Sequence, residues 1–213
     1  SGIASAMFCL GVLPYLESFF SRISNIRLVE LAAANHPLLK RMSLEAPGTY
    51  HHSLIVASLA EDAANAIGAN GLLCRVGAYF HDVGKMVKAE YFIENQGTFG
   101  NPHDQVSPSL SKLVITSHVK EGLALARAHK LDRQIVDFIP QHHGTSQIEY
   151  FYLKALKREQ EQEVGEAHDD VKEEAYRYPG PKPQSKEAGI VMLADSCEAI
   201  SRTLDEPTHQ RFK

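Results

Sequence analysis

Apolar residues recur at three- and four-residue spacing along most of this chain, and no stretch sustains the two-residue alternation of a half-buried strand. That periodicity predicts an all-α fold, and the polar residues that interrupt it say what the fold must do. Five predicted helices carry a His or Asp at an apolar or terminal position: His52, His81 with Asp82, His118, His142 with His143, and Asp195. Asp195 ends the run Ile190-Val191-Met192-Leu193-Ala194, where a buried, unpaired carboxylate would be costly without a cation or strong donors. His118 lies mid-helix beside Ile115 and Val119, again a place where a polar ring needs a partner. Any one of these histidines reads as a hydrogen-bonded core residue. The whole set in one small helical chain reads as nitrogen and oxygen ligands for divalent metal.

The centre of the pattern is Tyr79-Phe80-His81-Asp82-Val83-Gly84-Lys85, which follows the apolar run Leu72-Leu73-Cys74-Arg75-Val76-Gly77-Ala78. Gly84 is expected to stop the helix in a left-handed conformation. Lys85 is either a cation aimed at an anionic substrate or a solvated lysine favoured by the helix dipole. His-Asp also occurs at His103-Asp104 and His168-Asp169, but not at the end of an apolar helix. The chain holds eleven histidines in 213 residues, an excess that metal ligation explains. At 44% hydrophobic it can bury one core, so one domain is expected. A net charge of −4 gives no sign of a general nucleic-acid surface, although bound metal can supply local positive charge to a phosphate ester. Cys9, Cys74 and Cys197 are odd in number and widely spaced, which argues against a disulfide framework and fits a reducing compartment.

In chain order, Ile3 to Leu13 is apolar but short of the roughly 20 residues that span a bilayer. Two readings stand: a core or interface helix, or the end of a transmembrane helix with Tyr15, Phe19 and Phe20 as its interfacial belt. A helix from Ser24 is broken at Asn35-His36-Pro37, a short segment runs through Leu44, and Pro47-Gly48 is read as a turn. His52 to Ile67 is amphipathic, and Glu94 to Ser107 is an ordered loop over or beside the site. Ser107-Pro108 starts a helix to about His129, and Asp132 is expected to cap one that ends near His142-His143-Gly144. A helix from Ser146 enters the charged linker at about 157–184, and Ser185 caps a last helix to about Thr203.

These residues resemble the HD superfamily of metal-dependent phosphohydrolases. They are more similar still to the cytoplasmic HD domain of the seven-transmembrane HD receptors, the PgpH-type cyclic di-AMP phosphodiesterases. The resemblance lies in Asn35-His36-Pro37-Leu38-Leu39, Glu45-Ala46-Pro47-Gly48-Thr49-Tyr50-His51-His52-Ser53 and Gly77 to Lys85. It continues in Tyr91 to Gln96, Asn101-Pro102-His103-Asp104, Ile115 to Val119, Gln141 to Ser146, Tyr178 to Gln184 and Met192 to Ser196. It implies an HD-domain helical bundle over residues 23–204, followed by a tail at 205–213, with residues 1–22 as the end of a membrane segment or an N-terminal helix. It also implies two metal ions, iron or manganese. His52, His81, Asp82 and Asp195 would hold one, and Asp82, His118 and His142 the other, with Asp82 bridging. By the same resemblance Asp82 is catalytic. Lys85, as a compact cation, would neutralise transition-state charge on a phosphate, and Lys85, His143 and His103 are the candidates to meet substrate, the last two with a second-shell or ordinary loop role as the alternative.

The activity so implied is hydrolysis of cyclic di-AMP to linear pApA by a hydroxide activated between two metals. The setting implied is the cytoplasmic face of a bacterial membrane, reached through a region N-terminal to this chain, with homo-oligomerisation left open. Three alternatives compete: an HD nucleotidase, a cyclic di-GMP phosphodiesterase of the HD-GYP class, and an HD domain that senses a nucleotide without cleaving it. Gly144-Thr145-Ser146-Gln147 follows the paired histidines with no Gly-Tyr-Pro motif, and Gly48 stands where some HD-GYP proteins place a third-metal Glu. Both departures favour the two-metal, adenine-dinucleotide reading.

Overall fold

A computed structural model describes residues 2–8, 11–12, 22–97, 100–161 and 171–202. Among these residues the regular structure is helical, as the periodicity predicted, apart from an isolated bridge between Gln147 and Arg177. The longer helices are α1 (Asn25–Leu31), α2 (Pro37–Glu45), α3 (Pro47–Ala66), α4 (Gly71–Phe80) and α5 (Pro108–Ala128). After the short turns α6 (Arg133–Val136) and α7 (Phe138–Gln141) come α8 (Glu149–Glu161) and α9 (Lys186–Ser201). Val83–Tyr91 and Ile93–Asn95 are 3-10 segments between α4 and α5.

Helix α4 has both faces buried, and this places the site. Val76 and Phe80 enter one core with Leu28, Leu38, Met42 and Ile139. Cys74 and Ala78, each two positions away and so on the other side of the helix, enter a second core with Val56, Ala60, Phe138 and Val191. The residues that follow α4, His81 and Asp82, therefore emerge in the middle of the bundle. Helices α3, α5, α7 and α9 surround that point.

The helix starts follow the sequence at several places. Ser24, Asn70, Ser107 and Ser185 accept the N–H of Arg27, Leu73, Leu110 and Ala188 respectively, each meeting a donor that the first turn leaves unpaired. Asp132 does not cap as expected; its carboxylate instead holds Arg27 Nε at 3.0 Å. The single helix expected after it is divided into α6 and α7, because Pro140 has no N–H to return to Val136. Pro47-Gly48 is the first turn of α3 rather than a separate turn, since proline at the first helical position loses only a donor that has no partner there.

Gly84 is also explained differently. Among the described residues the glycines with positive φ are Gly68, Gly100, Gly144 and Gly180, so Gly84 is not a left-handed stop. A Cβ on Gly84 would stand 1.8 Å from the His118 carbonyl oxygen and 2.5 Å from Gly122 N. Close approach of two backbones requires this glycine, and it presses the segment after Asp82 against the helix that carries His118.

The ends contribute less. Residues 2–8 are helical with Ile3, Met7 and Phe8 exposed, so they add nothing to the core. Most of the reading for residues 13–22, and all of that for 205–213, lies outside the described residues; among the described residues no helix is long and apolar enough to cross a membrane. In the charged stretch, α8 continues to Glu161, and beyond 170 the chain returns with Tyr176 buried against Phe151 and Ala155.

Gly84→Ala is expected to lower the unfolding free energy by about 2 kcal/mol or more through overpacking. Thermal denaturation checks this, and an unchanged midpoint would mean that the two backbones are not in contact.

Candidate metal centre

The sequence-predicted ligands converge. His52 comes from α3, His81 and Asp82 from the end of α4, His118 from α5, His142 and His143 from the end of α7, and Asp195 from α9. They form two groups, His52, His81, Asp82 and Asp195 in one and Asp82, His118, His142 and His143 in the other, with the potential ligand atoms of each group within 4.8 Å of one another. Asp82 belongs to both. Its Oδ2 faces His81 Nε2 at 3.1 Å and His52 Nε2 at 3.5 Å, while its Oδ1 faces His118 Nε2 and His142 Nε2, each at 3.5 Å. Asp195 Oδ1 lies 3.0 Å from His52 Nε2.

Four of the imidazoles are oriented from behind. The Nδ1 atoms of His81, His118 and His142 donate to the carbonyls of Ala78 (2.6 Å), Ile115 (2.6 Å) and Ile139 (2.8 Å). His52 Nδ1 donates to Glu198 Oε2 at 2.5 Å, and Glu198 is held in turn by Arg202 Nε at 2.6 Å. Fixing the proton on Nδ1 leaves each Nε2 lone pair pointing at the carboxylates, the tautomer that a metal-binding histidine needs. His51 is exposed and His52 buried, so the adjacent pair divides as expected for neighbours on a helix.

The centre is short of cations. His52 Nε2, His81 Nε2 and Asp82 Oδ1 are buried without a hydrogen-bond partner, and Asp82 Oδ2 has the Lys85 ammonium at 2.7 Å. Acceptors packed against acceptors are unfavourable unless a positive charge lies between them. Burial is the largest influence on His81 and disfavours its charged form, yet the carboxylates of Asp82 and Asp195 outweigh it and push the ring up to about 10. Burial likewise opposes ionisation of Asp82, but His81 and Lys85 hold its carboxyl well below the usual range. In the second group burial dominates and pushes His118 down to about 4, leaving a neutral ring suited to ligation. Divalent ions would replace the protons that otherwise balance this site, so the donor set fits metal.

Other residues are placed less simply. Lys85 is not a solvated helix-end lysine: its Nζ lies 2.7 Å from Asp82 Oδ2 and 3.0 Å from Glu94 Oε1, and the side chain is 12% exposed. Burial acts against its charge, but the two carboxylates raise its pKa. His143 joins the second group, and its ring stacks on Tyr178 with centroids 4.1 Å apart. His103 is not brought to the cluster: its ring is buried against Tyr91 and Phe151, with Nε2 3.0 Å from the Tyr91 carbonyl. His168 lies outside the described residues. Glu198 was missed, although it sits one turn after Asp195 on the same helix face and that spacing is a usable signal. Glu94 reaches the site from a loop, where no periodicity marks it.

The HD domain profile matches residues 49–200, which span every residue of both groups. The chain belongs to the HD-domain family. Over its whole length it is 49% identical to the cyclic-di-AMP phosphodiesterase PgpH of Bacillus subtilis, of which it covers 29%. Its fold is similar to the crystal structure of the Listeria monocytogenes PgpH HD domain, with a TM-score of 0.75 and 47% identity, covering 83% of this chain and 79% of that one. A second structure of that domain, in complex with cyclic di-AMP, matches with a TM-score of 0.75 and 48% identity, over 83% of this chain and 78% of that one. The chain thus spans less than a third of the curated PgpH relatives.

Removing the support behind a ligand should weaken metal binding without touching the ligands themselves. Glu198→Gln is expected to reduce metal affinity about 10- to 100-fold. Competition with a metal-binding dye measures this, and wild-type affinity would mean that Glu198 does not orient His52.

Proposed function

We propose that this HD domain is a metal-dependent phosphodiesterase that hydrolyses cyclic di-AMP to linear pApA. The observation that carries the reading is Asp82, whose two buried carboxylate oxygens each face a separate pair of imidazole nitrogens. That arrangement suits two ions sharing one carboxylate, with His52, His81 and Asp195 completing one set and His118 and His142 the other. His143 is a further candidate for the second set. Iron or manganese suits this mixture of imidazole and carboxylate donors. Bound as a pair, such ions supply Lewis acidity, lower the pKa of water and neutralise phosphate charge.

The chain's own residues then have defined tasks. Asp82 and Asp195 supply the negative charge that retains the cations, and the buried histidines exclude bulk water from the reacting face. Lys85 offers an ammonium beside Asp82, where it can meet charge growing on the phosphate in the transition state. Hydrolysis joins a water oxygen to one phosphorus and releases the 3′ oxygen as a hydroxyl, which opens the ring to pApA. The substrate assignment rests on the likeness to PgpH, whose HD domain has been crystallised with cyclic di-AMP. The exposed Ile3, Met7 and Phe8 support a membrane-proximal place for the N-terminal segment, and the resemblance to the PgpH-type family puts it on the cytoplasmic side.

Chromatography of products from cyclic di-AMP, cyclic di-GMP and a nucleoside triphosphate tests the reading. Selective formation of pApA is expected; preference for another substrate would remove the cyclic di-AMP assignment, and binding without cleavage would favour the sensor. Asp82→Ala is expected to abolish turnover and lose both ions by elemental analysis, whereas full retention of either would exclude a bridging role. Lys85→Ala is expected to keep the metal and lower kcat about 100-fold or more, in line with the loss of one preorganised charge contact.

A further inference from the structure

Two carboxylates grip Lys85, and only one of them belongs to the metal groups. Asp82 is shared by both groups, so its charge is committed to the cations that the site is built to hold. Glu94 lies in neither group, and its Oε1 stands 3.0 Å from Lys85 Nζ. The Phe92 ring lies beneath the ammonium, 5.1 Å from centroid to Nζ.

The turn that carries Glu94 is anchored on the helix that carries His52. Glu94 Oε1 accepts from Thr49 Oγ1 at 3.0 Å. Asn95 Oδ1 accepts the Thr49 N–H at 3.1 Å, and Asn95 Nδ2 donates to Thr49 Oγ1 at 2.8 Å. Helix α3 has no side-chain cap of its own at Ala46, so Asn95 satisfies from a distant loop a donor that the first helical turn leaves unpaired. Gly48 permits the contact, since a Cβ there would stand 1.8 Å from the Glu94 carbonyl oxygen. The Glu94-Asn95 turn is thus fastened on one side to the start of α3 and on the other to Lys85.

We infer that Glu94 is the positioning residue for Lys85, the carboxylate that keeps the ammonium in place beside the metal centre while Asp82 serves the metals. This inference rests on the phosphodiesterase reading above and deepens it. An ammonium near two dications is repelled by them, and a dedicated counter-charge outside the ligand set offsets that repulsion. The anchoring through Thr49 and Asn95 fixes where the counter-charge lies, and with it the direction of Lys85.

A double-mutant cycle on the metal-loaded chain tests this, using Glu94→Gln, Lys85→Met and the pair. The glutamine keeps the shape and an oxygen for Thr49 but removes the charge. Glu94→Gln is expected to retain wild-type metal content and to lower kcat about 10- to 100-fold, a cost typical of a displaced catalytic group. In the Lys85→Met background the same change is expected to cost less than about 2-fold, because Glu94 acts through Lys85. Costs that multiply, or loss of metal from Glu94→Gln, would overturn the inference. Running the cycle on bis(p-nitrophenyl) phosphate as well as cyclic di-AMP separates this claim from the substrate assignment. A readout without turnover is acetylation of Lys85 followed by mass spectrometry: Glu94→Gln should speed labelling several-fold, and an unchanged rate would contradict the positioning role. If Glu94→Gln does not fold, Asn95→Ala loosens the same turn and must speed labelling in the same way; failure to do so also overturns the inference.

Discussion

The structure depends on a buried carboxylate that faces four imidazole nitrogens and has one ammonium, that of Lys85, beside it. Asp82 is buried, its Oδ1 has no hydrogen-bond partner and its Oδ2 has the Lys85 ammonium, and each oxygen points at a pair of imidazole nitrogens whose protons are held on the far side of the ring. Left to protein atoms alone, that constellation sets acceptor against acceptor in a region of low dielectric. Positive charge between the acceptors resolves it, from protons on the rings or from divalent cations in their place.

The fold makes such an arrangement affordable by placing Asp82 where five chain segments meet. Helix α4 is apolar on both faces, so burial of Val76 and Phe80 on one side and Cys74 and Ala78 on the other forces its end into the bundle centre. The segment after Asp82 is then drawn against α5 by the contact at Gly84, which brings His118 to the far oxygen. Packing therefore sets the ligand geometry, and the backbone carbonyls of Ala78, Ile115 and Ile139 set the tautomers. Glu198 does for His52 what a carbonyl does for the others.

Much of this was legible in the sequence because polar residues on apolar helix faces are conspicuous. Asp195 and His118 stand out against their neighbours, and the candidate ligand set follows from them and from the resemblance to the HD superfamily. What the sequence concealed lies where no period operates. Glu94 and Tyr178 lie in segments that the resemblance marks, but on a short 3-10 turn and an irregular stretch no period says which side chain reaches the site. Gly84 and Pro47 read locally as a left-handed stop and a turn, but their reasons are a close backbone crossing and the first turn of a helix. His103 reads as a site residue by its loop and motif, yet Tyr91 and Phe151 bury its ring elsewhere.

Anomalous diffraction from crystals of the domain loaded with manganese or iron would test the central claim most directly. The account predicts two anomalous peaks about 3.5–4 Å apart, one on each side of the Asp82 carboxylate. One would lie beside His52, His81 and Asp195, and the other beside His118 and His142. A single peak, or peaks away from Asp82, would contradict the bridging carboxylate on which the rest of the account stands.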